Sequence, residues 1–217
     1  MRALQRYNSK PKKLKIVELP KPSVSNGFCL IKVISSGICG RDIEHHHTKL
    51  PSSKIPFTPG HEFSGIIHKI SKNSKFKIGD RVVSETVYYV CQKCKSCKNN
   101  LYNLCSKRKN IGGSANGSFA DFVKVPISSL HSIPDSINHD EAAIIEPTCV
   151  AYNAVFRNSN IKVNSNILIL GIGTIGLLTA QMCKMKSKNI FLLCLKSEVN
   201  KIKVAKSLGF KKLLFFE

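Results

Sequence analysis

Four cysteines within fifteen residues are the feature that most restricts how this chain can fold. They follow the pattern C-x2-C-x2-C-x7-C, at Cys91, Cys94, Cys97 and Cys105. Four thiolates on one short loop fill the tetrahedral coordination of zinc and leave no position open. A closed site of this kind holds together a loop that has no hydrophobic core of its own. The spacing therefore predicts a structural zinc site in a polar lobe of the fold.

An iron–sulfur cluster is the alternative to zinc at these cysteines, because C-x2-C-x2-C also begins a ferredoxin run. That run continues with a fourth Cys after three residues, and a Pro follows the fourth Cys. Here Cys105 comes after seven residues, and Ser106 follows it. The spacing therefore favours zinc over an iron–sulfur cluster.

The composition favours a folded, cytoplasmic protein without a membrane or nucleic-acid partner. Hydrophobic residues make up 42% of the 217 residues, enough for a packed core. No apolar run approaches the roughly 18 residues of a membrane span, and the basic N-terminus lacks the apolar segment of a secretory signal. The net charge is +21, but the 34 basic residues are scattered and are not interleaved with aromatic residues. A basic nucleic-acid-binding zinc module stays as an alternative, which salt-dependent retention on DNA or RNA would support.

Two parts of the chain differ in their predicted secondary structure. From about Leu14 to Ser129 the segments FCLIKVIS, FSGIIHKI, DRVVSETVYYV and FADFVKVP are rich in β-branched residues, which predicts a small irregular β-barrel with long loops. The stretch HDEAAIIEPTCVAYNAVF has helical spacing, and Pro147 within it predicts two short helices. The following segment predicts a strand at Asn166–Leu170, a helix through Lys186, a strand at Ile190–Leu195, a helix at Glu198–Leu208 and the beginning of a strand at KKLLFF. This order predicts a parallel sheet. The fold class is therefore α/β with a β-barrel, and we place the domain boundary between residues 1–150 and 151–217.

The first turn of the parallel sheet carries a G-x-G-x-x-G pattern at Gly171, Gly173 and Gly176. The pattern follows a strand and opens an amphipathic helix, which is the context that a dinucleotide-binding loop requires. In such a loop the pyrophosphate lies at the helix N-terminus, here formed by Thr174 and Ile175. The sequence therefore predicts NAD or NADP as cofactor.

The residues at the end of the second strand do not decide between NAD and NADP. An acidic residue about 20 residues after the glycines binds the ribose hydroxyls of NAD. Here that stretch contains Lys196, with Ser197 and Lys201 close by. Basic groups there accept a 2′-phosphate, so NADP is plausible, whereas Glu198 offers a carboxylate for the ribose of NAD.

A second metal constellation is suggested by residues in glycine-rich surroundings. Cys39 lies in SSGICGRD, His61 and Glu62 lie in PGHEFSG, and Glu146 precedes a proline. One thiolate, one imidazole and one carboxylate leave a zinc ion with a position for water or substrate. Each residue alone is a weak signal, because isolated His and Glu side chains are usually structural.

The order of the motifs resembles the zinc-dependent medium-chain alcohol dehydrogenase family. That order is CGxD, GHE, GDRV, the four-cysteine lobe, EP and GxGxxG. The stretch EPTCVAYNAV looks most like the sorbitol, threonine and butanediol dehydrogenase branch, where Glu replaces the second Cys ligand. The resemblance implies a GroES-like catalytic domain followed by a Rossmann domain, two zinc ions per chain, and a small secondary alcohol or polyol as substrate. It also implies homo-oligomers among full-length relatives.

The resemblance implies that Cys39 and His61 ligate a catalytic zinc and that Glu62 or Glu146 supplies the carboxylate. That zinc would act as a Lewis acid on the substrate hydroxyl so that hydride can leave to NAD(P). Quinone and enoyl reductase relatives are excluded, because they lack both metal constellations.

One departure from the family affects the proton route. The family usually has Ser or Thr two residues after the ligand Cys, and here that residue is Arg41. The family's relay His aligns with Glu44, so we hypothesise that Glu44 or His45 takes over the proton. The run His45, His46 and His47 is otherwise interpreted as part of a polar loop.

The dinucleotide-binding part looks incomplete, because only 41 residues follow Gly176. A doubly wound sheet usually has six strands, and this segment supplies three at most. We expect a C-terminally truncated member of the family. The alternative to an active dehydrogenase is a catalytically inactive zinc-binding remnant.

Overall fold

The computed structural model describes residues 1–51, 55–71 and 74–216. The chain divides into two compact units, Met1–Glu146 and Pro147–Glu217. No helix among the described residues has the length and apolar character needed to cross a membrane.

The first unit is built on antiparallel strands, as its β-branched and punctuated sequence predicts. Its main sheet has five strands in the order β8-β3-β4-β5-β9, and two further pairs are β1-β2 and β6-β7. The strands are β1 (Arg2–Arg6), β2 (Leu14–Glu18), β3 (Phe28–Gly37), β4 (Glu62–Ile70), β5 (Arg81–Ser84), β6 (Val87–Tyr89), β7 (Lys109–Asn110), β8 (Phe122–Pro126) and β9 (Leu130–Ser132).

The core of this unit lies on one face of β3 and its neighbours. Ile31, Ile67 and Val82 are each exposed by 1% or less, and the cluster continues with Val125. At Gly65 in β4 a Cβ atom would collide with the backbone carbonyl of Lys32 on β3. The absence of a side chain at Gly65 therefore lets the two central strands approach closely, which fixes the ends of β3 and β4 relative to each other.

The helix α1 (Gly40–His47) contains all three consecutive histidines, so the prediction of a polar loop there is wrong. At its start the Cys39 N–H donates to the Asp42 carboxylate at 3.1 Å, which satisfies one of the free donors of the first turn. At its end the carbonyls of His45, His46 and Thr48 accept hydrogen bonds from the Arg6 guanidinium at 2.7, 3.2 and 2.9 Å. The C-terminal end of α1 is therefore stabilised by Arg6, which is distant in sequence. A local sequence pattern does not reveal this contact.

Two consecutive helices follow, α3 (His139–Ala143) and α4 (Ile145–Tyr152), after the short α2 (Lys95–Lys98) of the cysteine lobe. The prediction of two short helices is confirmed, but the break lies at Ile144 and not at Pro147. Pro147 is the third residue of α4, in the first turn, where a missing N–H removes no intrahelical bond. A π-helical turn, Asn153–Arg157, extends α4.

The second unit has the predicted strand–helix–strand–helix–strand order, with all three strands parallel. It consists of β10 (Asn166–Leu170), α5 (Thr174–Lys184), β11 (Asn189–Leu195), α6 (Val199–Ser207) and β12 (Leu213–Phe216). The strand order β10-β11-β12 is the order of one half of a doubly wound sheet. Its core includes Ile169, Leu192 and Ala180, so α5 packs on the sheet through its small residues. The predicted fold class is confirmed.

Candidate metal centres and cofactor loop

The four cysteines of the lobe lie together in tetrahedral spacing. Their Sγ atoms all lie within 4.8 Å of one another. The Sγ atoms of Cys91 and Cys97 are 4.0 Å apart, and those of Cys105 and Cys91 are 3.6 Å apart. A tetrahedron with Zn–S bonds of about 2.3 Å has S–S edges of about 3.8 Å. The four sulfurs therefore fit a zinc ion that is coordinated by protein alone.

The lobe depends on this cluster because it has few apolar contacts. Leu101, Tyr102 and Leu104 are all exposed, so the lobe lacks a core. The backbone N–H groups of Lys93 and Cys94 lower the pKa of the Cys91 thiol to about 6, which favours the thiolate that a metal requires. Backbone amides therefore stabilise the Cys91 thiolate, whereas burial raises the pKa of the Cys97 thiol to about 12, so a cation is needed to ionise all four cysteines.

The second cluster joins the end of β3 to the start of β4. Cys39 lies two residues after β3, His61 precedes β4, and Glu62 is its first residue. One ligand atom from each residue lies within 4.8 Å of the other two. Because Gly37 pairs with Glu62 across the two strands, the sheet register itself brings the thiol and the carboxylate together. The donor set of sulfur, nitrogen and oxygen suits zinc with an open position.

Glu146 lies near this cluster but is not one of its three mutually close members. Burial raises the pKa of the Glu146 carboxyl, His61 opposes that rise, and Glu62 adds to it. Burial also raises the pKa of Cys39 and that of Glu62. Buried acidic groups that crowd one another are stabilised in their ionised form by a cation, so the electrostatics fit a metal here. The structure brings Glu62 into the cluster and leaves Glu146 beside it.

Asp42 is a residue of this site that the sequence analysis quoted in the CGxD motif without giving it a role. Its carboxylate is buried, and its Oδ1 lies 3.9 Å from Nδ1 of His61. This distance is longer than a hydrogen bond, so the contact is electrostatic, and it places a carboxylate where metal-ligating imidazoles often have one. The signal was the acidic residue three positions after Cys39, but only the fold shows that it faces His61.

A cleft of about 320 Å³ opens beside the cluster. It is lined by His61 and Glu146, by His45 and Arg41 of α1, and by residues around the end of the cysteine lobe, namely Thr86, Arg108, Asn110, Gly112, Gly113 and Ser114, with Leu50, Phe57 and Ile111. Glu44 is exposed and is not among these lining residues of the described chain. Of the two residues suggested for the proton route, the structure places only His45 at the cleft.

The position of the Glu62 carboxylate depends on the absence of a side chain at Gly37. A Cβ at Gly37 would lie 2.7 Å from Oε2 of Glu62 and 3.3 Å from its Cβ. We expect Gly37→Ala to displace the carboxylate and weaken zinc binding at this cluster by roughly tenfold or more. Competition with a chelator measures the affinity. Gly40→Ala is the matched control, because a Cβ there meets no atom within 4 Å. Equal affinities for the two variants would contradict the expected role of Gly37.

The glycine loop of the second unit has the form that a pyrophosphate needs. Gly171 has φ +92°, a conformation that favours glycine, and a Cβ at Gly176 would collide with the Gly171 carbonyl oxygen. A Cβ at Gly171 or Gly173 would meet nothing within 4 Å, so the space above the loop is open. Gly173 begins α5 without a side-chain cap, which leaves the N–H groups of Thr174 and Ile175 available to an anion.

The basic residues suggested for cofactor selection lie at the end of β11 and in α6. Lys196 directly follows β11 and is exposed. Glu198 accepts a hydrogen bond from the Leu195 N–H at 3.2 Å and forms an ion pair with Lys201. These contacts lower the pKa of Glu198, the Lys201 contact most strongly. Glu198 and Lys201 therefore form an ion pair with each other at the start of α6.

Comparisons with known proteins agree with this arrangement. The sequence profile of the alcohol dehydrogenase GroES-like domain matches residues 25–135. The chain is 39% identical over 197 residues to D-arabitol-phosphate dehydrogenase of Enterococcus avium, covering 89% of this chain and 55% of that protein. It is 37% identical over 195 residues to sorbitol dehydrogenase of Halalkalibacterium halodurans, covering 89% of this chain and 56% of that protein. The chain thus spans slightly more than half the length of these curated relatives.

The fold is also similar to solved structures. A zinc-binding dehydrogenase from Sinorhizobium meliloti 1021, whose crystal structure contains NADP, matches with a TM-score of 0.88 and 28% identity. The match covers 99% of this chain and 61% of that one.

Proposed function

Because the chain belongs to the alcohol dehydrogenase family with a GroES-like domain, we propose that it is a zinc-dependent, NAD(P)-linked oxidoreductase. It acts on the CH–OH group of a small secondary alcohol or polyol, the substrate class in the names of its curated relatives. The observation that carries the proposal is the Cys39–His61–Glu62 cluster beside an open cleft. In this proposal residues 1–150 form the zinc-binding catalytic domain, and residues 151–217 form part of the NAD(P)-binding domain.

The residues of the first unit bind and orient the metal and the substrate. Cys39, His61 and one carboxylate, Glu62 or Glu146, would hold the catalytic zinc, and the buried carboxylate of Asp42 lies beside the imidazole of His61. When bound, zinc supplies a Lewis acid that lowers the pKa of the substrate hydroxyl. Bound NAD(P) would accept the hydride of the substrate carbon, and the hydroxyl proton would leave through the side chains of the protein. Cys91, Cys94, Cys97 and Cys105 hold the second, structural zinc.

His45 is the residue that best suits removal of the hydroxyl proton. It lines the cleft together with His61, whereas Glu44 does not. An imidazole in that position takes the place of the Ser or Thr that Arg41 replaces. We expect His45→Gln to lower kcat by about 10²-fold and Glu44→Gln to leave it unchanged. A steady-state assay of both variants measures this effect. Undiminished turnover in His45→Gln would remove His45 from the proton route.

Cofactor binding is assigned to the glycine loop. Gly171, Gly173 and Gly176, with the N–H groups of Thr174 and Ile175, would hold the pyrophosphate, and Lys196, at the end of the second parallel strand, would face the adenosine ribose. The positive charge of Lys196 favours the 2′-phosphate of NADP over NAD. Initial rates with the two cofactors at equal concentration test this choice, with Lys196→Ala expected to reduce the NADP preference. A strong preference of the wild-type protein for NAD would defeat it.

An inactive zinc-binding protein is the second candidate function, because Arg41 stands where the family has the Ser or Thr of the proton route. Zinc-loaded protein assayed with sorbitol, threonine and butanediol, each with NAD and with NADP, separates the two candidates. Reduction of either cofactor supports the dehydrogenase, whereas two bound zinc ions without turnover support the inactive protein. A cytoplasmic location is part of the same proposal.

A further inference from the structure

Two guanidinium groups face the cleft beside the proposed catalytic metal. Arg41 is the second residue of α1, and Arg108 comes three residues after Cys105 at the end of the cysteine lobe. Both line the cleft that contains His61 and Glu146. Neither forms an ion pair with a carboxylate within the described ranges. A cleft for a neutral polyol does not require two arginines, so their presence needs a separate explanation.

The Arg108 side chain is held in place and still has a free donor. Its Nη1 donates to the Asn103 carbonyl at 3.2 Å, and its Nη2 donates to Oγ1 of Thr86 at 3.1 Å. Its Nε is buried and has no hydrogen-bond partner among the described residues. Nη1 and Nη2 each carry a second N–H that these two hydrogen bonds do not use, so donors remain for a ligand oxygen. The guanidinium is thus positioned in advance for an acceptor.

Other groups that line the cleft can bind the hydroxyl groups of a ligand whose acceptor oxygens contact the arginines. Oδ1 of Asn110 is also buried without a hydrogen-bond partner in the described part of the chain, and it can accept from a substrate hydroxyl. Gly113 follows in the cleft wall, and a Cβ there would meet no atom within 4 Å. The cleft volume of about 320 Å³ lies at the lower end of the range for small-molecule sites, roughly 300–1,000 Å³.

We propose that the substrate of this cleft is a polyol that carries a phosphate monoester, whose phosphate is bound by Arg41 and Arg108. The inference rests on the proposed oxidoreductase function of the same cleft. Guanidinium groups donate two parallel hydrogen bonds to phosphate and keep their charge at every physiological pH, so an arginine pair selects a dianion strongly over a neutral hydroxyl. Arg108 also acts electrostatically on Glu146, but that role does not involve Arg41.

Equilibrium binding tests the proposal without depending on turnover. Isothermal titration of the zinc-loaded chain with sorbitol 6-phosphate, sorbitol, gluconate and inorganic phosphate compares the four chemistries. We expect sorbitol 6-phosphate to bind at least about tenfold more tightly than sorbitol, because hydrogen bonds from guanidinium groups to a phosphate dianion are stronger than those to a neutral hydroxyl. Arg41→Ala and Arg108→Lys are expected to remove most of that difference in affinity between sorbitol 6-phosphate and sorbitol. Arg157→Gln, which replaces an exposed arginine outside the cleft, is the matched control.

The outcomes separate this inference from the proposed function. Equal affinity for sorbitol and its phosphate, or a phosphate preference that survives Arg41→Ala, would overturn the inference. Gluconate binding as tightly as sorbitol 6-phosphate would overturn the assignment of a phosphate rather than a carboxylate. A chain that binds sorbitol 6-phosphate through Arg41 without oxidising it supports the inference and contradicts the dehydrogenase function. A chain that oxidises sorbitol and sorbitol 6-phosphate equally well supports the dehydrogenase function and contradicts the inference.

Discussion

Replacing Cys97 with serine is expected to unfold the cysteine lobe while the rest of the first unit stays folded. The lobe from Cys91 to Cys105 has exposed apolar side chains and no core, so the metal supplies most of its folding energy. Structural zinc sites contribute on the order of 10 kcal/mol of binding free energy, and the loss of one of four thiolates removes most of it. Limited trypsin digestion measures the effect, because Lys93, Lys95 and Lys98 lie within the lobe. We expect cleavage in the lobe to become at least about tenfold faster.

Cys149→Ser is the matched control for this prediction. Cys149 is exposed and belongs to neither metal cluster of the described residues, so its replacement is expected to leave the lobe protected. Equal digestion rates for the Cys97→Ser, Cys149→Ser and wild-type proteins would show that the lobe is not held by a metal.

Arg6→Met is expected to lower the free energy of unfolding by about 3–5 kcal/mol. Arg6 is only 1% exposed, and its guanidinium donates to six backbone carbonyls. Three of these carbonyls, of Asn8, Ser9 and Lys10, belong to the turn after β1, and the others end α1. Methionine fills the space but leaves those acceptors without donors. Urea denaturation followed by circular dichroism measures the loss.

Two further variants make this prediction specific. Arg6→Lys keeps the charge but lacks the planar fork of five donors, so we expect an intermediate loss. Arg2→Met removes an exposed arginine that pairs with Asp121 at 3.4 Å, and its effect is expected to stay below about 1 kcal/mol. An Arg6→Met protein within 1 kcal/mol of wild type would disprove the structural role of the buried guanidinium.

The features that could be predicted from sequence are those fixed by local spacing. The four cysteines lie within one loop, so their pattern predicted a cluster that the fold then forms. The glycine loop follows a strand and opens a helix, and the close approach of Gly176 to the Gly171 carbonyl, which leaves no room for a Cβ, agrees with the pattern. The six ordered motifs identified the family correctly.

The features that could not be predicted depend on contacts between distant parts of the chain. The helix that contains His45 is closed by Arg6, which lies 39 residues earlier. The cleft position of Arg108 requires the cysteine lobe to return towards α1. The helix break near Pro147 was misplaced because proline is tolerated in a first turn, and the sequence alone did not show where that turn begins.

The zinc content of the purified chain and of two variants tests the central claim of one closed and one open metal site. Native mass spectrometry counts the bound ions directly. The structure predicts two zinc ions in the wild-type protein, one in Cys97→Ser, one in His61→Ala and none in the double variant. A wild-type chain without zinc, or a zinc count that neither single substitution changes, would contradict the account.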